Sequence, residues 1–125
     1  MRKIMITMAA LAMIVPTLAQ AMSVAEFLTK TDALKAKGVL ALGSSDIGLL
    51  RDDIAKASDA YRAGLAAEVV AGRKPSSCPP PKGTAKVTSD DIIAAFRAIP
   101  AAKRARTSTK AAFAAFMTKR YPCTA

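Results

Sequence analysis

The chain has 125 residues, with 19 basic against 9 acidic side chains, two cysteines and no histidine or tryptophan. The length allows one small domain, and the missing histidine removes the commonest general base and metal ligand. A formal charge of +10 points to anionic rather than cationic partners.

The first 21 residues read as a secretory signal peptide. Arg2 and Lys3 form a short positive start, and an apolar run follows from Ile4 to Leu18. Ala19-Gln20-Ala21 then places small residues where signal peptidase cuts. The run is shorter than the roughly 20 residues a spanning helix needs, and Pro16 breaks it near its end. Cleavage between Ala21 and Met22 is expected, giving a periplasmic or secreted protein with no stable membrane insertion. No cysteine lies at the cleavage region, the first being Cys78, which argues against a lipid anchor. Loss of Arg2 and Lys3 leaves 17 basic and 9 acidic residues, a net charge of +8. Export argues against nucleic acid as the partner of this basic chain. Anionic envelope surfaces or an acidic protein partner fit better.

Ser23-Val24-Ala25-Glu26 has the spacing of a capping box, and Val24, Phe27, Leu28, Thr31 and Leu34 continue a helix to about Lys37. Gly38 stops it, and Val39 to Gly43 is an apolar connector, either a turn or a brief extended piece. A second helix starts at Ser44 or Ser45 and runs to Val70, its apolar face formed by Ile47, Leu50, Ile54, Tyr61, Leu65 and Val69. A second stripe of Ala57, Ala60, Gly64, Ala67 and Ala71 predicts close approach of another helix, and Gly72 is placed to cap the C-terminus.

Residues 73–86 carry Pro75, Pro79, Pro80, Pro81 and Gly83, which exclude helix and predict a stiff crossover. Thr88-Ser89-Asp90-Asp91 opens a third helix with Ile92, Ile93, Phe96 and Ile99 on one face. Pro100 ends that helix or begins a short turn through Arg106. Thr107-Ser108-Thr109 caps a fourth helix with Phe113, Phe116 and Met117 inward and Lys110, Lys119 and Arg120 outward. No period-2 pattern of useful length occurs. The expected fold is all-α: a single domain over 22–125 of about four helices with one disulfide.

That disulfide is Cys78–Cys123, as expected in an oxidising compartment. A redox or metal pair is disfavoured, because there is no C-x-x-C spacing and no histidine. Asp52-Asp53 and Asp90-Asp91 are adjacent pairs that diverge around a helix, and no phosphate loop or nucleophile elbow is found. The chain is expected to be no enzyme and to use no cofactor or metal. Lys103, Arg104, Arg106 and Lys110 bunch between the third and fourth helices. They read either as a solvated face or as a patch for an acidic groove on a protein partner.

Ala60-Tyr61-Arg62-Ala63-Gly64-Leu65, Ser77-Cys78-Pro79-Pro80, the Ile99-Pro100 break and Tyr121-Pro122-Cys123 together resemble the Rap/Tai immunity proteins. The likeness covers roughly residues 60–123. Members of that family commonly carry further cysteines in the N-terminal half, which this chain lacks. The resemblance implies a small exported helical protein that neutralises a peptidoglycan amidase toxin of type VI secretion by blocking its active cleft. The alternative is a periplasmic helical chaperone or stress protein of the HdeA kind. A third possibility is a structural envelope protein held to anionic surfaces by its charge. The sequence leaves the partner's identity and the oligomeric state open.

Overall fold

The computed structural model describes residues 22–124. The signal peptide expected over residues 1–21 lies outside the described residues, as does the residue before the expected cut. The order of elements is α1 (Val24–Lys37), a 3-10 turn (Gly38–Gly43), α2 (Ser45–Val70), α3 (Ser89–Arg97), α4 (Ala101–Arg104) and α5 (Thr109–Arg120). The domain is all-α, as the spacing of apolar residues predicts. The short α4 and the 3-10 turn are additions to the four expected helices.

The helix starts are set by side chains that satisfy otherwise free amides. Ser23 accepts from the Glu26 amide at 3.1 Å, Ser44 from Asp46 at 3.3 Å and Ser108 from Ala111 at 3.1 Å. At α3 the capping box is complete: Thr88 Oγ1 accepts from the Asp91 amide, and Asp91 accepts from the Thr88 amide. The starts of α1 and α5 are also paired with each other. Val24 N–H donates to Thr107 O at 2.8 Å, and Thr109 N–H donates to Met22 O at 2.9 Å. Gly72, with φ of 76°, ends α2 in a Schellman motif, in which Arg73 N–H reaches Glu68 O and Gly72 N–H reaches Val69 O.

The core is built where α2 and α5 lie together and α1 and α3 close over them. Val24, Phe27 and Leu28 of α1 meet Ile92 and Phe96 of α3, and Ala57 and Tyr61 of α2 meet Ala112, Phe113 and Met117 of α5. Phe27 stands edge-on to Phe96 at 5.1 Å between centroids, and Tyr61 edge-on to Phe113 at 6.1 Å, arrangements that suit the ring quadrupoles.

Two expectations are corrected here. Along the small-residue stripe only Ala57 is buried, and a Cβ built on Gly64 would meet nothing within 4 Å. Beyond Ala57, which packs in the core with α5, no helix among the described residues covers that stripe, because α5 packs on the neighbouring face through Tyr61. Val69 is 59% exposed rather than inward, since α2 extends past the core before Gly72 ends it.

The crossover after α2 is held to the body at several points. Cys78 and Cys123 form the expected disulfide, with 4.9 Å between Cα atoms. Cys78 N–H donates to Tyr121 O at 2.8 Å. Arg62 donates to Pro80 O at 3.1 Å, and Glu68 accepts from both the amide and the hydroxyl of Ser76 at 2.7 and 2.9 Å.

Candidate functional site

The basic cluster is only partly available. Lys103 and Arg104 lie on α4, Arg106 in the following turn and Lys110 in the first turn of α5. Arg104 is half-buried: Nε donates to Ile99 O at 2.8 Å and Nη2 to Arg97 O at 2.6 Å. Its guanidinium therefore satisfies the carbonyls at the end of α3, which have no helical partner of their own. Lys103, Arg106 and Lys110 are exposed and form no ion pair among the described residues. Of the four expected partner-binding residues, three offer free charge and Arg104 is committed to the fold.

Cys78 and Cys123 are bonded to each other. Asp90 and Asp91 stand at the start of α3, and Asp91 is engaged in the capping box. Among the described residues no group of three or more metal-binding side chains converges.

A different feature comes from the way α1, α2 and α3 meet. Of the 26 residues in α2, the buried ones are Ala57 and Tyr61, both in its middle and second half. The first half therefore overhangs the core, with Leu50 and Ile54 only partly packed against it, and it is tied to α1 through the Lys30–Asp46 ion pair at 3.5 Å. The space left is an open groove of about 400 Å³. Leu34 from α1, Ile47, Leu50 and Ile54 from α2 and Ile93 from α3 line its walls, and Phe27 and Ile92 lie at its floor. Lys35 and Arg51 are its charged lining residues, and no carboxylate lines it. A groove of this size, apolar with a few charged groups, is in the range of ligand and peptide sites.

The 3-10 turn at one end of this groove is the most apolar exposed segment. Val39 is 83% exposed, Leu40 80% and Leu42 83%, while Ala41 between them is buried. Gly38 makes the departure from α1 possible, with φ of 57°. The glycine-bounded apolar run was the available sequence signal for this tip. For the groove there was none, since Lys35 and Arg51 look like ordinary helix-surface charges until the helices are placed.

The carboxylates that hydrogen bonds hold below their ordinary values are structural. Hydrogen bonding from Arg97 holds Asp32 below its ordinary value, tying α1 to α3. The Ser76 amide and hydroxyl do the same for Glu68, and the Thr88 amide and hydroxyl for Asp91. None lines the groove.

No family model, no curated protein and no solved structure matches this chain. The fold and the groove define a small all-α domain, tied by one disulfide and presenting an apolar cleft with a cationic edge. Among its described residues, no helix is long and apolar enough to cross a membrane.

Proposed function

We propose that this is an exported binding protein that acts in the periplasm by occupying one protein partner, a peptidoglycan amidase toxin of the kind that Rap/Tai immunity proteins neutralise. The observation that carries this reading is the convergence of three of the four segments in which the resemblance lies. Tyr61, Ser77 and Tyr121 meet in one hydrogen-bonded group, with the Cys78–Cys123 bond beside it. Residues far apart in the chain thus act as one structural motif, which supports treating them as parts of a single pattern. A disulfide closing a separation of 45 residues fits an oxidising compartment.

The partner is met at the α1–α2–α3 groove, where apolar walls supply contact area and Lys35 and Arg51 select an acidic complement. Lys103, Arg106 and Lys110 add to the positive field that speeds encounter, an effect screened beyond about 8 Å at physiological ionic strength. The test is co-expression with a genetically linked amidase toxin directed to the periplasm. Host rescue that weakens with Arg51→Glu and Ile93→Glu, in variants that remain folded, is the expected result. Absence of rescue by the folded wild-type protein would refute it.

One observation favours a second reading, the chaperone. The exposed Val39, Leu40 and Leu42 would suit unfolded clients. Against acid activation, Asp32, Glu68 and Asp91 hold their charge further into acid than free carboxylates do. Suppression of aggregation of several unrelated proteins, without amidase binding, would favour the chaperone.

A further inference from the structure

We propose that the Gly38–Gly43 turn is a membrane-docking tip that inserts Val39, Leu40 and Leu42 into the surface of an anionic phospholipid bilayer. This role is additional to partner binding in the groove, with which the tip shares only Lys35 at its edge. Three aliphatic side chains at 80% exposure or more on one six-residue turn form an apolar projection that water solvates poorly. The buried Ala41 anchors the turn to the body, so the residues on either side of it are held outward.

The backbone is prepared for the same environment. The turn is a 3-10 helix, its entry amide Gly38 N–H donates to Lys35 O, and Ser44 N–H closes its exit by donating to Ala41 O at 2.9 Å. Internal pairing of this kind reduces the cost of moving peptide groups out of water. Not one of the six residues has a polar side chain.

The charges around the tip are cationic. Lys35 and Lys37 close the last turn of α1. The nearest carboxylate after the turn, Asp46, is paired with Lys30 at 3.5 Å, and Asp32 before it is paired with Arg97. Apolar side chains flanked by unpaired lysines are the combination that binds anionic lipid surfaces. A protein partner is the weaker match for the tip itself. Binding hot spots are enriched in Trp, Tyr and Arg and depleted in Leu and Val, and this turn offers no side-chain hydrogen bond to orient a partner.

The test is co-sedimentation of the purified mature protein with vesicles of phosphatidylcholine alone or mixed with phosphatidylglycerol, at low and physiological ionic strength. Binding to the phosphatidylglycerol vesicles alone is expected. Lys35→Gln and Lys37→Gln should each weaken partitioning about fivefold. Leu40→Asp with Leu42→Asp should abolish it while leaving the thermal unfolding curve in place. No binding by the wild type would overturn the proposal. So would equal binding by the Leu40→Asp, Leu42→Asp variant, which would assign the attraction to net charge. Loss of amidase binding or of self-association in that variant, with no vesicle binding by the wild type, would make the tip a protein contact and also overturn it.

Discussion

The Tyr61 hydroxyl lies 2.6 Å from Ser77 Oγ, inside the protein, and this contact joins the middle of α2 to the proline crossover. Ser77 Oγ gives its one hydrogen to Tyr121 O at 2.8 Å, so the tyrosine is the donor. Ser77 is 1% exposed, and neither group has water as a ready substitute. The crossover, α2 and the end of α5 are thereby fixed at one point next to the disulfide.

Removing either partner of that bond should therefore cost more than a surface hydrogen bond. Ser77→Ala leaves the buried Tyr61 hydroxyl without an acceptor, a loss of about 1–3 kcal/mol. Tyr61→Phe keeps the ring packing on Phe113 and should cost about 1 kcal/mol. Urea unfolding of the two single variants and the double variant measures this, and the double should lose less than the sum of the singles.

The Cys78–Cys123 bond closes a long loop, worth about 4 kcal/mol in the chain-entropy model. Replacing both cysteines by alanine should lower stability by about 2–4 kcal/mol, because Cys78 N–H and Ser77 Oγ still hold Tyr121 O in the native state. Denaturant midpoints with and without reductant give the same comparison.

Gly64 sits inside α2 with open space where a side chain would stand. Gly64→Ala should stabilise the protein by about 0.5–1 kcal/mol, since alanine restricts the unfolded chain and clashes with nothing. Thermal unfolding at matched pH checks it. A destabilised variant would mean that another surface does meet α2 there.

Asp32, Glu68 and Asp91 are all held below their ordinary values of 3.8, 4.5 and 3.8 by hydrogen bonds made in the folded state. A lowered native pKa means that the unfolded chain binds protons first as pH falls. Their stabilisation is therefore fully present above those ordinary values and is lost as pH drops through the lower native ones. Stability measured by urea unfolding should be flat near neutrality and decline below about pH 4.5. Asp32→Asn should reduce the steepness of that decline.

Much of the fold was legible because its signals are local. Ser23, Ser44, Thr88 and Ser108 mark helix starts by their own hydrogen bonds, and Phe27, Tyr61, Phe96, Phe113 and Met117 recur on faces that do become the core. The failures lie where a third element decides the outcome. Gly64 and its alanine neighbours look like a helix contact, yet α5 packs beside that stripe. Arg104 looks like free charge, and only the placement of α4 shows that Ile99 O and Arg97 O claim it. The groove depends on α2 overhanging the core, which no spacing of residues along one helix reveals. Val39 to Gly43 was too short to assign by periodicity, and its exposure follows from Ala41 alone finding burial.

The most direct test of partner binding is to titrate isotopically labelled protein with a purified peptidoglycan amidase toxin and to follow backbone amide shifts. Perturbation is expected at Lys35, Ile47, Arg51 and Ile93 around the groove, in proportion to inhibition of peptidoglycan hydrolysis. Absence of binding, or shifts confined to the Cys78–Cys123 end of the molecule, would contradict the assignment of the groove as the partner site.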